Sequence, residues 1–306
     1  MISAAYIFPG QGSQTVGMGR EFYDSSPQAK AIFDQADQVI DGLSDVIFNG
    51  PQEKLTSTAY CQPAIFTYSL AALEAFKAHP KFQNIKPAFA AGLSLGECTA
   101  VAASGSLSFE ETLKLVERRS FFMEEATKIK RGAMAAIIGL EKEKIVAICH
   151  ETGAEVANYN APDQIVITGE AEKVAKASEM IQEQGAKRVI PLDVSGAFHS
   201  SLMAPAVPKF ENVLKGAAFR KSDIPIVSNV DGQPSDDPDG IRSNLAKQIT
   251  SSVQWVDSVQ YMAAQGITEF FEIGPGTVLK GLIRKINRDL NVTNIRTPQD
   301  LDSLHF

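Results

Sequence analysis

Gly92-Leu93-Ser94-Leu95-Gly96 follows the apolar run Ala88-Phe89-Ala90-Ala91 and precedes Glu97-Cys98-Thr99-Ala100-Val101-Ala102-Ala103, which has helical composition and no breaker until Gly105. The order is strand, tight turn, helix. In such a nucleophile elbow the serine occupies a strained backbone position, and the flanking glycines let strand and helix pass closely. Ser94 Oγ is then presented at the top of a sheet, and the N–H groups of the first helical turn face an oxyanion. A G-x-S-x-G string alone is weak, because at ordinary glycine frequency it arises in roughly one chain in ten of this length. The rest of the chain must supply partners.

On either side of this turn strands and helices alternate, which predicts an α/β fold with a mostly parallel sheet covered on both faces. Ile2 to Phe8 reads as a buried first strand. The loop Pro9-Gly10-Gln11-Gly12-Ser13-Gln14-Thr15-Val16-Gly17 invites a nucleotide-binding reading, but the third glycine of G-x-G-x-x-G would fall at Thr15 and no Gly-Lys-Ser/Thr follows. It reads instead as a loop that brings backbone N–H groups and Gln11 close to another ligand. Ser26-Pro27 opens one helix, Gln62-Pro63 a second that runs to His79-Pro80, and the capping box Ser108 to Glu111 a third through about Thr127.

On that third helix Leu115, Phe122 and Ala126 share an apolar face with Arg119. An inward arginine is costly unless paired. It meets either a buried carboxylate of the protein, the reading periodicity favours, or an anionic ligand. The ligand reading implies a substrate with a free acid, which the planar guanidinium holds by two hydrogen bonds.

From Ala133 to Leu192 the pattern is βαββαβ, the order of a ferredoxin-like split unit. It reads as a small domain inserted into the larger sheet. Beyond it, Pro225 to Val230 is expected as a strand, Asp231 to Gly240 as a solvated loop, Thr268 to Ile273 as a strand, and the chain after Gly276 as a basic amphipathic helix. The tail after Pro298 is expected to be poorly ordered.

The chain has 306 residues, 44% hydrophobic and 21% charged, enough for one large domain with an insertion. No run approaches 18 apolar residues, and the N-terminus lacks a basic stretch before an apolar one, so no membrane partner and a cytoplasmic location are expected. Cys61, Cys98 and Cys149 lack CxxC spacing and read as buried thiols, with neither disulfide nor metal site. A net charge of -7 disfavours nucleic acid as a partner.

A serine nucleophile needs a base, and four histidines are available. His79 precedes a proline, His150 falls in the small unit, and His305 is next to last in a polar tail. His199 remains, at the junction where the insertion hands the chain back and a cleft between domains would form. In an α/β hydrolase the histidine follows the acid near the C-terminus, so about a hundred residues after His199 disfavour a plain hydrolase.

Pro9-Gly10-Gln11-Gly12-Ser13-Gln14, Gln62-Pro63-Ala64, Gly92-x-Ser94-Leu95-Gly96-Glu97, Arg119, Asn158-x-Asn160-x-Pro162, Phe198-His199 and Gly274-Pro275-Gly276 together resemble the malonyl-CoA:acyl carrier protein transacylases over essentially the whole chain. The resemblance implies an α/β-hydrolase-like large domain (1–127 and 198–306) and an inserted ferredoxin-like small domain (128–197), with the active site between them. It implies ping-pong malonyl transfer in type II fatty acid biosynthesis, without a cofactor, by a monomer. Ser94 would be the nucleophile, His199 the base, the N–H groups of Gln11 and Leu95 the oxyanion hole, and Arg119 the malonyl anchor, with Gln62 and Asn160 near the substrate. A carbonyl near Ser251 would orient His199; many relatives have Asn-Pro where this chain has Ser251-Ser252, so here the main chain must serve. Leu93 replaces a frequent histidine and is expected to point away from Ser94, and Cys98 to pack beneath the elbow. Lys280, Arg284 and Arg288, with Lys285 beside them and with Lys128, Lys130 and Arg131, form a candidate surface for docking an acidic carrier protein. A trans-acting malonyl transferase of a polyketide synthase and a serine thioesterase or esterase are the alternatives.

Overall fold

The computed structural model describes residues 1–83 and 85–304, apart from the side chain of Thr58. Its strands are β1 (Ile2–Phe8), β2 (Ile85–Gly92), β3 (Gly132–Ile138), β4 (Glu155–Ala161), β5 (Gln164–Glu170), β6 (Arg188–Pro191), β7 (Ile226–Val227), β8 (Pro234–Ser235), β9 (Glu269–Ile273) and β10 (Asn291–Ile295). They form two sheets. The larger, ordered β10-β9-β1-β2-β7-β8, is parallel except where β8 returns against β7. The smaller, ordered β4-β5-β3-β6, is antiparallel.

The larger sheet is mixed with helices because its strands are apolar on both faces. In β1, Ala4, Tyr6 and Phe8 enter one core cluster while Ala5 and Ile7 enter the other. Helices must therefore cover both sides, which parallel strands with helical crossovers provide. The smaller sheet buries one face against the helices Lys142–Thr152 and Ala171–Glu183, around Ile137, Ile145, Ile167 and Val174. Tyr159 and Val253 tie the two parts together, with Tyr159 N–H donating to Val253 O at 2.9 Å and Val253 N–H to Ala157 O at 2.8 Å.

Several elements differ from their sequence reading. The helix containing Gln62-Pro63 starts earlier, at Thr58, so Pro63 lies inside it. Only one backbone donor is lost there, in a helix buried along much of its length. The expected strand Pro225 to Val230 shortens to Ile226–Val227, and the supposed solvated loop Asp231 to Gly240 holds β8 and the start of the helix Pro238–Gln248. Asp237 caps that helix, accepting from Gly240 N–H at 2.7 Å with Pro238 at the first position. A cap and a turn use the same residue types. The tail after Pro298 is ordered at its start as a helix, Pro298–Asp302, closed by a Thr297/Asp300 capping box. His305 lies outside the described residues.

The register of β1 against β2 places Phe8 opposite Gly92. Both strands thus end at one edge of the sheet. The glycine-rich loop and the serine turn emerge there side by side, where parallel α/β sheets build their sites.

Candidate active site

The turn closes because two glycines let backbone meet backbone. A Cβ on Gly92 would lie 2.1 Å from Gly96 C, and one on Gly96 would lie 2.1 Å from Phe8 O. Between them Ser94 takes φ 56° and ψ −103°. Ser94 and His199, at φ 57°, are the non-glycine residues with positive φ among those described. Strain of this kind persists only where surrounding contacts over-determine it. At Ser94 both backbone groups are clamped: its N–H donates to Asn229 Oδ1 at 2.7 Å, and its carbonyl accepts from Gln248 Nε2 at 3.0 Å.

His199 Nε2 lies 2.8 Å from Ser94 Oγ, and Nδ1 lies 2.9 Å from the main-chain carbonyl of Gln248. A carbonyl can only accept, so Nδ1 carries the proton and Nε2 offers its lone pair to the serine hydroxyl. Burial first, and the Arg119 guanidinium second, push the imidazole pKa down from 6.5 to about 4, against the main-chain carbonyls of Gln248 and Ser251 that favour the cation. At neutral pH His199 is a free base aimed at Ser94. The main chain orients it as expected, but through Gln248 at hydrogen-bond distance, with Ser251 as the second carbonyl.

Arg119 is 1% exposed. It donates to Gln62 Oε1 at 2.6 Å, Gln248 Oε1 at 2.8 Å and Ser94 Oγ at 3.0 Å. None of these is a carboxylate, and its Nε has no partner. The buried structural ion pair that periodicity favoured is therefore not what holds Arg119. A desolvated cation surrounded by neutral acceptors retains its demand for an anion.

Glu97, buried at 2% exposure, completes this network. Its Oε2 accepts from Gln248 Nε2 at 2.6 Å and Asn229 N–H at 3.1 Å. Burial pushes its carboxyl up to about 7. Gln248, Asn229 and Glu97 are the residues sequence reasoning missed as site members. Glu97 stood in the quoted motif, whereas nothing local marks Asn229 or Gln248.

Ser94 opens into a cavity of about 630 Å³ between the two sheets, lined by Gln11, Gln62, Leu93, Asn160, Phe198 and His199 among others. Asn160 is buried with an unpartnered Oδ1. Leu93 is among the residues lining this cavity, and its Cδ2 packs beside Gly10. Cys98 packs fully buried under the turn, as expected. Cys61 and Cys149 are buried free thiols.

The acyl transferase domain model matches residues 5–297 of this chain. The chain belongs to the acyl transferase family. A malonyl CoA-acyl carrier protein transacylase of Bacillus subtilis is 44% identical over 99% of this chain and 96% of its own length. The solved acyl-carrier-protein-S-malonyltransferase of Bartonella henselae superposes with a TM-score of 0.93 at 37% identity, covering 99% of this chain and 98% of that one. A malonyl-transacylase solved in complex with a type II PKS acyl-carrier protein gives 0.94 at 35% identity, covering 99% and 98%.

In this acyl transferase the structure joins Ser94, His199, Arg119 and Gln62 by direct hydrogen bonds and brings Gln11 and Asn160 to the same cavity. Leu95 opens the helix after Ser94. The basic stripe is less regular than its spacing. The helix ends at Ile286, so Arg288 lies beyond it, and Lys285 pairs with Asp163 at 3.3 Å. Arg284, Lys285 and Arg288 line a separate cleft with Asp163, without Lys280. Lys128 and Lys130 pair with Glu125 and Glu170, both at 2.7 Å. No helix among the described residues is long and apolar enough to cross a membrane.

Proposed function

We propose that this acyl transferase moves a malonyl group from malonyl-CoA to the phosphopantetheine thiol of acyl carrier protein through a malonyl-Ser94 intermediate, in type II fatty acid biosynthesis. The observation that carries the reading is the convergence on one atom: Ser94 Oγ meets His199 Nε2 at 2.8 Å and Arg119 at 3.0 Å. His199 takes the hydroxyl proton as Oγ attacks the thioester carbonyl, then returns it to the departing CoA sulfur. In the second half, His199 takes the proton of the carrier thiol, the thiolate attacks the malonyl-serine, and the proton goes back to Ser94 Oγ. The oxyanion of each tetrahedral intermediate is assigned to the N–H groups of Gln11 and Leu95, preset by the loop and the helix N-terminus. Arg119 binds the free carboxylate of the acyl group, which explains a buried guanidinium held by the neutral side chains of Gln62, Gln248 and Ser94.

On this reading residues 1–127 and 198–306 form a hydrolase-like catalytic domain, and 128–197 a ferredoxin-like insertion that roofs the cavity. No cofactor is required, since malonyl-CoA and the phosphopantetheinylated carrier are both substrates. The test is intact-mass spectrometry after mixing with malonyl-CoA: the native enzyme gains one malonyl group, discharged by carrier protein faster than by water, and Ser94→Ala gains none. An adduct on Ser94→Ala overturns the assignment.

A further inference from the structure

Building on the acyl-transfer reading above, we infer that Glu97 is a positioning residue for the acylation step, holding through Gln248 and Asn229 both the strained Ser94 backbone and the groups that act on Ser94 Oγ. The hydrogen bonds of Asn229 and Gln248 define the role. Asn229 receives the Ser94 N–H on Oδ1, donates from Nδ2 to Gly92 O at 2.7 Å, and is anchored by its own N–H on Glu97 Oε2 at 3.1 Å. Gln248 grips the Ser94 carbonyl with Nε2, and the same nitrogen is anchored on Glu97 Oε2 at 2.6 Å. The other end of the Gln248 amide receives Arg119 at 2.8 Å, and its main-chain carbonyl receives His199 at 2.9 Å.

An ionised carboxylate accepts hydrogen bonds and donates none. Facing Glu97 and the Ser94 carbonyl, the Gln248 amide presents its NH2, and its carbonyl oxygen faces Arg119, which can only donate. Arg119 and His199 are thereby set in register on one hydroxyl by a residue that touches neither the hydroxyl nor the substrate cavity. Charge-assisted bonds are roughly twice as strong as neutral ones, so a glutamine at this position would hold the Gln248 amide and the Asn229 N–H less firmly. The titratable groups around Glu97 are Arg119 from the helix Phe109–Ile129, Cys98 on its own helix and, across the Gln248 amide, His199; the remaining contacts, Ser228, Asn229 and Gln248, do not titrate.

The experiment is single-turnover acylation by malonyl-CoA, read by intact mass, for the native enzyme and Glu97→Gln. The expected result is a burst rate lower by about 10- to 100-fold, the usual range for groups that orient reacting side chains, with the dissociation constant for malonyl-CoA within about twofold. A native enzyme that forms no adduct refutes the acyl-transfer reading, and the proposal with it. A native burst that Glu97→Gln matches within twofold, or a parallel loss of rate and binding, refutes the proposal alone. Should Glu97→Gln not fold, the native pH profile decides: the burst is expected to rise with pH through an ionisation near neutrality, above the His199 limb, and a flat burst between about pH 6 and 8 overturns the inference.

Discussion

Replacing Arg119 by alanine should convert a selective enzyme into an indiscriminate one. Arg119 is fully desolvated, and its bound neighbours are Gln62, Gln248 and Ser94. In the proposed role, Arg119 forms a buried, charge-assisted pair with the malonyl carboxylate, and removing one partner of such a pair costs about 3–5 kcal/mol. At 1.4 kcal/mol per factor of ten, kcat/KM for malonyl-CoA should fall by roughly 100- to 4000-fold. Acetyl-CoA has no carboxylate to lose. It forfeits only the bond from Arg119 to Ser94 Oγ, worth about 1.5–3 kcal/mol when the donor is charged, or roughly 10- to 100-fold. The malonyl/acetyl preference should therefore narrow by about an order of magnitude or more. Competition between the two thioesters, read as intact-mass adducts of the native enzyme and Arg119→Ala, measures the ratio directly. Equal losses for both acyl groups would show that Arg119 serves the serine alone, and an unchanged malonyl rate would remove it from the site.

Other outcomes follow from the same geometry. The pH dependence of acylation should show the His199 limb near 4 instead of near 6.5, because burial lowers its pKa to about 4; a limb near 6.5 that persists in Glu97→Gln would contradict the buried, neutral imidazole. The same shift affects stability. Since the folded pKa lies below the unfolded value, the His199 contribution is fully present above about 6.5 and is lost as pH falls towards 4, while Glu97, raised to about 7, opposes folding as pH rises from 4.5 through 7. Thermal melts of His199→Ala should thus lose less stability than the native enzyme between pH 6.5 and 4. Gly92→Ala should be destabilised by more than about 2 kcal/mol or fail to fold, since its Cβ meets Gly96 backbone at 2.1 Å; a native-like melting temperature would contradict the tight turn. Charge reversal at Lys280 and Arg284 should raise KM for carrier protein and leave malonyl-CoA acylation unchanged, and an unaltered carrier KM would exclude this helix as the docking surface.

Legibility followed the range of the interactions. The elbow was readable because strand, glycines and helix are contiguous, and the antiparallel sheet because βαββαβ has its own order and its own core. Boundaries blurred where one residue type serves two purposes, as at Asp237-Pro238, a turn in composition and a helix cap in fact. Arg119 was legible as an inward charge, but its partners were not. They come from positions 62, 94 and 248, and no local pattern joins these.

The sequence by itself marked Ser94 as a candidate nucleophile, Arg119 as an inward cation and, by elimination, His199 as a candidate base, because each follows from the residue type and its place in a local pattern. The tertiary structure alone decided how they work together. Gln248 and Asn229 approach Ser94 from segments 154 and 135 positions away in the chain. The physical reason is that a strained serine and a buried cation are stable only when over-determined by contacts from several elements, and such contacts exist only once the sheet has aligned the ends of its strands.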